Sequence, residues 1–290
     1  MPRNYPFGIG PVKLVSTEWL NGHLQDKNMM LLDVQPNIHD YIKEHIPGAV
    51  YMSEGLLRVS HKGKPGYYVP RLAFQVVARR IGLMPDMQVV VYTGKGPVKG
   101  SGDGLEQTMM AYTLARFGLE NVFVLDGGID KWKAEGRAQD QKFPKMKDSK
   151  FKAVVRDEYF IEYRDFKKIK DEPNVMLLDA RPRDVYEGQG PWIKPGHIPG
   201  AVNLPWKSLM NPENPAMLKE DFEINQVLES KGVTRDKTII CSCGTGREAT
   251  NEFVLLKFYM GFPNVRIYEG SFTEWTSFPR NPTVTGPNPR

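Results

Sequence analysis

The sequence predicts an α/β protein made of two copies of one domain, each with a mainly parallel sheet flanked by helices. The first observation is an internal repeat, in which three motifs return in the same order at offsets of 146, 152 and 143 residues. They are "LLDVQ" (31–35) with "LLDAR" (177–181), "HIPGAV" (45–50) with an identical copy (197–202), and "VLDGGIDKW" (124–132) with "IYEGSFTEW" (267–275). The second is the alternation of short apolar runs with helix-compatible stretches in both copies, which is typical of parallel sheets.

The same elements are predicted in the same order in each copy. The expected strands are apolar runs, as in sheets that are covered on both faces, at 29–34 and 175–180, 88–92 and 238–241, and 121–125 and 264–268. Helices are expected over 105–117 and 248–259. A length of 290 residues suits two domains of ordinary size. The predicted boundaries are 1–140 for the N-terminal domain, 141–152 for a lysine-rich linker and 153–290 for the C-terminal domain.

Composition and charge exclude several classes of protein. No apolar run approaches the roughly 18 residues that a membrane span needs. No secretory apolar region opens the chain, so we expect a cytoplasmic protein, or a periplasmic one if a signal has been removed. The 39 basic and 34 acidic residues are scattered and accompany no nucleic-acid motif. The net charge of +5 therefore indicates only a weak attraction for small anions.

The two cysteines of the chain, Cys241 and Cys243, lie in "CSCGTGR" (241–247), between a predicted strand and a predicted helix. Ligands of parallel sheets bind beyond the carboxyl ends of the strands, where Asp179 is also expected. A thiol in such a turn faces free backbone amides and the positive end of a helix, which lower its pKa and form a cradle for an anion. The pattern indicates a reactive cysteine, but by itself leaves open which one.

The residues after the cysteines fit an anion site. Gly244 and Gly246 let the loop fold its amides inward without Cβ clashes. Arg247 adds a fixed cation suited to a sulfonate, carboxylate or phosphate.

Taken together, the motifs resemble those of the tandem-domain rhodanese-like sulfurtransferases, which include thiosulfate and 3-mercaptopyruvate sulfurtransferases. The resemblance rests on the repeat, the "LLDAR…GHIPGAV" segment, the Cys-Gly-x-Gly-x-x-Ala loop that begins at Cys243, and the "EGS…W" element (269–275). It covers nearly the whole chain. It implies two rhodanese-like domains, of which the C-terminal one is catalytic and carries sulfur as a persulfide on Cys243.

The N-terminal copy supports this register. Residues 91–96 overlay 241–246 at an offset of 150 and place Thr93 where Cys243 stands. A threonine hydroxyl cannot accept and release sulfane sulfur, so this copy resembles the catalytically inactive partner domain of the family. An insertion at 97–104 follows, for which a surface loop and a docking role between the domains both stay open.

The resemblance also implies a mechanism. The Cys243 thiolate would take sulfur from a small anionic donor, thiosulfate or 3-mercaptopyruvate, and pass it to cyanide, a small thiol or an acceptor protein. No metal, organic cofactor, nucleic acid or membrane partner is expected. The residues predicted to contact the donor are Gly244, Thr245, Gly246, Arg247, Glu248 and Arg183. Asp179 and Arg181 are predicted to support the loop, although an ordinary ion pair with a nearby arginine explains Asp179 equally well.

One position departs from the family. Its thiosulfate and mercaptopyruvate enzymes place an arginine six residues after the strand-end aspartate, on the anionic group of the donor, where this chain has Val185. Arg183 and Arg247 are candidate replacements, and the identity of the donor stays open. His45 and His197 recur in both copies, so they are predicted to be structural rather than catalytic.

Two alternative functions come from other classes. Cys241 and Arg247 have the Cys-x5-Arg spacing of tyrosine phosphatases, but Ile240 stands in place of the usual histidine and Glu248 in place of a serine or threonine. An acid at position 248 would repel a phosphate dianion. The other alternative is a non-enzymatic module that binds sulfur or a partner protein.

Overall fold

Two five-stranded sheets, one in each repeat, form the framework of the computed structural model, which describes residues 3–95 and 102–290. Every strand pair in these two sheets is parallel. This confirms the predicted α/β class with two tandem domains of one type.

The N-terminal sheet contains β1 (Val12–Val15), β2 (Met29–Asp33), β3 (Val50–Tyr51), β6 (Gln88–Tyr92) and β7 (Val122–Leu125), in the order β1-β7-β6-β2-β3. A separate antiparallel hairpin is formed by β4 (Arg58–His61) and β5 (Lys64–Tyr68). The helices are α1 (Thr17–His23), α2 (Ile38–Lys43), α3 (Arg71–Arg80), α4 (Leu105–Arg116) and α5 (Gly128–Ala134).

The C-terminal sheet contains β8 (Phe160–Ile161), β9 (Val175–Asp179), β10 (Val202–Asn203), β11 (Thr238–Ser242) and β12 (Val265–Tyr268), in the order β8-β12-β11-β9-β10. Its helices are α6 (Tyr163–Ile169), α7 (Asp221–Ser230), α8 (Ala249–Phe253) and α9 (Ser271–Thr276). A π-helical turn, Val254–Tyr259, continues α8. The strand order matches that of the N-terminal sheet, so the repeat seen in the sequence is a repeat of topology.

The predicted strand before the cysteine loop ends one residue too early. It extends to Ser242, because this residue pairs in register with Asp179 on β9. Cys241 is consequently an internal strand residue, and Cys243 is the first residue after the strand.

The two domains meet along α4 and α8, the helices that follow the two equivalent loops. Every residue of α4 is buried, since its own sheet covers one side and the second domain covers the other. Tyr112 of α4 packs edge-on against Phe253 of α8, with ring centroids 5.2 Å apart. Arg116 donates to both carboxylate oxygens of Glu269, at 2.7 and 3.0 Å. One apolar core therefore runs through both domains.

Two further segments, residues 141–156 and the start of the chain, make contacts outside this interface. Residues 141–156 contain no helix or strand, and Phe151 in this segment packs against Phe74 of the N-terminal domain. At the start of the chain, Arg3 donates to Asp221 of the C-terminal domain at 2.7 Å. The boundaries 1–140, 141–152 and 153–290 stay predictions. Within the described ranges, no helix has the length and apolarity to cross a bilayer.

The interdomain core yields a stability prediction. Replacing Phe253 by Ala should lower the free energy of unfolding by about 3–5 kcal/mol, because a fully buried aromatic side chain is removed from a core shared by both domains. Urea unfolding measures the change. Phe222→Ala is the matched control, since Phe222 is 65% exposed, and should change the free energy by less than about 0.5 kcal/mol. Equal effects of the two substitutions would contradict the interface.

Candidate active site

Cys243 lies at the carboxyl edge of the C-terminal sheet, directly after β11, and its side chain is fully buried. Its amide donates to Oγ of Ser271 at 3.1 Å. Ser271 has a φ of +51°, a conformation that residues with a side chain rarely adopt. The equivalent residue of the N-terminal copy is Gly128, with a φ of +58°. A strained serine therefore supports the loop only in the copy that has the cysteine.

Backbone amides of the loop converge on the Cys243 sulfur. The Gly246 amide donates to Sγ at 3.0 Å, and the amides of Thr245 and Ala249 act to lower the pKa of the thiol. The net shift is nevertheless upward: burial, followed by the Glu248 carboxylate, raises the pKa of Cys243 well above its usual value. The expectation of a lowered pKa was wrong because it counted the amides but neither the complete burial nor the acid beside the sulfur.

Two glycines allow the loop to follow this path. Gly246 has a φ of +81°, and a Cβ there would lie 2.7 Å from the carbonyl oxygen of Glu269. A Cβ at Gly244 would lie 2.7 Å from Cζ2 of Trp192, so the indole ring covers the loop at this point. The ring is held by a hydrogen bond from its Nε1 to Oγ1 of Thr273, at 2.8 Å.

Arg247 faces the N-terminal domain. Its Nε donates to Glu54 at 2.7 Å, its Nη1 and Nη2 donate to Asp103 at 2.6 and 3.0 Å, and Nη2 also donates to Glu106 at 2.9 Å. All three guanidinium nitrogens thus have carboxylate partners from the other domain. The structure places this predicted donor-binding cation in the domain interface.

The insertion at 97–104 contributes one of these carboxylates. Asp103 belongs to its described part, whereas 97–101 lie outside the described residues. The sequence left two roles open for this insertion, a surface loop or a docking element between the domains. In its described part, Asp103 makes a contact between the domains, the ion pair with Arg247.

Asp179 and Arg181 form a buried ion pair beside the loop. Nε and Nη2 of Arg181 donate to Asp179 at 2.9 and 2.6 Å, while its Nη1 has no hydrogen-bond partner among the described residues. The Arg181 guanidinium lies 4.2 Å from the ring centre of Phe272. Its Cδ is 3.9 Å from where a Cβ on Gly244 would be. The simple ion pair considered for Asp179 is therefore present, next to the cysteine loop.

Arg183 points elsewhere. Its side chain is 75% exposed and pairs with Glu187 at 2.6 Å. Val185 begins the turn Val185–Gln189 and supplies no charge. Arg183 and Arg247 were the candidate replacements for the family arginine. In the described chain, neither side chain contacts the Cys243 sulfur.

Cys241 is buried inside β11 and faces an acid. Burial, followed by Glu252, raises the pKa of its thiol. Glu252 is itself fully buried, and neither of its carboxyl oxygens has a hydrogen-bond partner among the described residues. Burial, followed by Asp179, raises the pKa of Glu252. These surroundings favour a protonated acid and a thiol over two anions.

Thr93 occupies the matching position of the N-terminal domain. Its hydroxyl donates to Glu106 at 2.9 Å, and its amide donates to Oε1 of Gln107 at 3.3 Å. The backbone carbonyl of Ala216, from the C-terminal domain, accepts from Gly127 and Gln107 beside it. The N-terminal loop thus has the hydrogen bond between the Thr93 hydroxyl and the Glu106 carboxylate at the position where the C-terminal loop has the Cys243 thiol.

His45 and His197 lie in equivalent buried positions. The ring nitrogens of His197 lie 3.0 and 3.1 Å from the backbone carbonyls of Tyr186 and Asn288. His45 makes the corresponding pair of backbone contacts in its own copy. These contacts agree with the predicted structural role.

Sequence reasoning missed one group of residues, those of the β4–β5 hairpin. Arg58 donates to the carbonyl oxygen of Thr245. A Cβ on Gly66 would lie 3.2 Å from Cβ of Thr245, so the hairpin packs on the cysteine loop from the other domain. No motif marks these residues, and the contact joins positions 187 residues apart, far beyond any local pattern.

Comparison with known proteins identifies the family. The model of the rhodanese-like domain matches residues 16–135 and 162–278, and the chain therefore belongs to the rhodanese-like family with two such domains in tandem. A Synechococcus elongatus protein provisionally named a thiosulfate sulfurtransferase is 32% identical over 96% of this chain and 86% of its own. The sulfur carrier protein TtuD of Thermus thermophilus is 30% identical over 95% of this chain and 98% of its own.

A solved structure shows the same fold over both domains. The crystal structure of SseA from Escherichia coli, described as a 3-mercaptopyruvate sulfotransferase, matches with a TM-score of 0.78 and 27% identity. The match covers 89% of this chain and 98% of that one.

Glu106 yields a prediction on the pH dependence of stability. Burial, followed by the Asp103 carboxylate, raises its pKa from 4.5 to about 7. Between these values the unfolded chain has released the proton and the folded chain has not. The contribution of Glu106 to stability is therefore complete below pH 4.5 and is lost as the pH rises through about 7.

Urea unfolding of the wild type and of Glu106→Gln measures this contribution. Between pH 5 and 7.5, the wild type should lose on the order of 2 kcal/mol relative to the variant, which cannot ionise. Glu229→Gln, at an exposed position of α7, is the control and should follow the wild type. A constant difference between wild type and Glu106→Gln would show that Glu106 does not titrate in this range.

Proposed function

We propose that the protein is a sulfurtransferase that moves sulfane sulfur through a persulfide on Cys243. The donor is a small anion, thiosulfate or 3-mercaptopyruvate, and the acceptor is cyanide, a small thiol or an acceptor protein. The observation that carries the proposal is the Cys243 sulfur at the end of a parallel strand, with the Gly246 amide 3.0 Å away and further loop amides directed at it. The names of the relatives from Synechococcus and Escherichia add support for both donors.

The mechanism follows from this geometry. The Cys243 thiolate attacks the outer sulfur of thiosulfate or the thiol sulfur of 3-mercaptopyruvate, and the bond between that sulfur and the rest of the donor breaks. The amides of Thr245, Gly246 and Ala249 stabilise negative charge at the sulfur. The leaving group is sulfite from thiosulfate, or from 3-mercaptopyruvate the enolate of pyruvate, which takes a proton from solvent. With valine at 185, the anionic group of the donor is left to these amides and to the cations beside the loop, Arg58 and Arg181.

Donor entry requires a rearrangement, because the thiol is fully buried. Trp192 covers the loop at Gly244, and the β4–β5 hairpin covers it at Thr245.

The phosphatase alternative finds less support. Its nucleophile would be Cys241, which lies inside β11 against Glu252. Its phosphate-binding cation would be Arg247, whose nitrogens are engaged by three carboxylates. A module that only docks a partner protein would not need amides directed at a cysteine sulfur.

Mass spectrometry after donor treatment tests the proposal. Thiosulfate or 3-mercaptopyruvate should add about 32 Da, one sulfur atom, to the wild type and to Cys241→Ser, but not to Cys243→Ser. Cyanide should remove the added mass and release thiocyanate. Loss of the added mass in Cys241→Ser alone would contradict the choice of Cys243, and release of phosphate from an aryl phosphate without sulfur loading would contradict the class.

A further inference from the structure

The N-terminal domain contains a cavity beside its own copy of the loop. The cavity has a volume of about 230 Å³, and part of its wall is formed by Gln35, Asp40, Ile129 and Asp130. Two of these residues border the loop glycine Gly94, since a Cβ there would lie 2.4 Å from Cγ2 of Ile129 and 3.2 Å from Oδ2 of Asp130. The cavity therefore lies beside the N-terminal counterpart of the cysteine loop.

Equivalent contacts in the two domains show which residues correspond. Tyr41 and Tyr186 each stack on the histidine of the repeated motif, with ring centroids 4.1 and 3.7 Å apart. Each tyrosine hydroxyl also donates to the backbone carbonyl of the alanine in that motif, at 2.9 and 2.6 Å. Asp40, which precedes Tyr41, therefore corresponds to Val185, which precedes Tyr186.

The charges beside the two loops are different. Gln35 stands where the C-terminal domain has Arg181, since each side chain donates to the strand-end aspartate two residues earlier. Asp130 stands where that domain has Thr273, because the residues before them donate to equivalent loop carbonyls at 2.9 and 3.0 Å. Together with the acid at position 40, the N-terminal domain has lost one cation and gained two carboxylates at these three positions.

In the C-terminal domain, Trp192 fills the corresponding space. Its indole ring covers Gly244 and lies 5.4 Å from the ring of Phe272. The segment that carries this ring is longer than its counterpart, because ten residues separate the tyrosine and histidine of the C-terminal copy, whereas three separate Tyr41 from His45. The N-terminal domain has no ring to place there, and the space remains as the cavity.

Carboxylates outnumber cations in the wall of the cavity. Besides Asp40 and Asp130, the charged lining residues are Glu44, Lys43 and Lys133. Lys133 donates to Glu44, and Lys43 is exposed. Asp40 is only 4% exposed, and its Oδ2 has no hydrogen-bond partner among the described residues. Burying a carboxylate oxygen without a partner costs free energy, so a bound cation would stabilise this side chain.

We propose that this cavity is a second ligand site, separate from Cys243, which binds a small organic cation with a guanidinium or primary ammonium group. A water molecule occupies about 30 Å³ in the liquid, so the cavity has room for such a molecule. One or two carboxylates bind these cations through charge-assisted hydrogen bonds. Among the described residues, no group of three acidic, histidine or cysteine side chains is placed to hold a metal ion instead.

NMR titration of the ¹⁵N-labelled protein with methylguanidinium tests the proposal. Low ionic strength is used, because salt screens the attraction between the cation and the carboxylates. We expect saturable binding with a dissociation constant of about 10 mM or lower. Methylurea, which has the same shape but no charge, should bind at least about tenfold more weakly, because it cannot form charge-assisted hydrogen bonds.

Three variants locate the binding site, with urea unfolding measured in parallel to confirm that each one folds. Asp40→Asn removes one charge from the cavity at nearly constant shape and should weaken methylguanidinium binding at least about fivefold. Asp130→Asn, a second change in the same wall, should weaken it in the same direction. Asp26→Asn removes the same charge from an exposed position just before β2 and should leave binding within about twofold of the wild type.

Weaker binding in both cavity variants, with the Asp26→Asn control unchanged, is the result expected. If the cavity variants bind methylguanidinium like the wild type, or if methylurea binds equally well, the proposal is overturned. Binding of Mg²⁺ at these residues without binding of methylguanidinium would also overturn it, because the ligand would then be a metal ion. None of these measurements uses a sulfur donor, so their outcome does not depend on the proposed sulfurtransferase function.

Discussion

The pairing of Arg247 with Glu54, Asp103 and Glu106 is the constraint on which the arrangement of the site depends. It joins the cysteine loop of one domain to Glu54 and to the start of α4 in the other, across the interface that α4 and α8 form. Breaking such a network would leave carboxylates in the interface without a cation, which is strongly unfavourable for the buried Glu106. Since Arg247 belongs to the cysteine loop, the network holds that loop against the N-terminal domain.

The loop after β6 of the N-terminal domain differs from its counterpart after β11 of the C-terminal domain. In the N-terminal copy, a hydroxyl on Thr93 contacts the buried Glu106. In the C-terminal copy, the sulfur of Cys243 accepts a hydrogen bond from the Gly246 amide. Glu106 also binds Arg247, so the N-terminal loop helps to position the cysteine loop. The N-terminal domain is thus a structural part of the candidate site.

Much of the fold follows from the sequence, because a repeat with apolar strands and ordered motifs defines two parallel α/β domains. The loop glycines and the place of Cys243 follow from local pattern in the same way. The partners of Arg247 do not, since they lie 193, 144 and 141 residues away and bear no motif. The raised pKa of Cys243 also escapes prediction, because it depends on complete burial and on the direction of the Glu248 side chain, which are properties of tertiary packing.

The central claim is that Arg247 fixes the loop and does not bind the donor. The rate of sulfur loading of Arg247→Gln as a function of donor concentration tests it most directly, with unfolding measured in parallel to confirm that the variant folds. We expect the rate at saturating donor to fall at least about tenfold, while the half-saturating concentration changes less than about threefold. A half-saturating concentration raised tenfold or more, with an unchanged saturating rate, would mean that Arg247 binds the donor and would contradict the account.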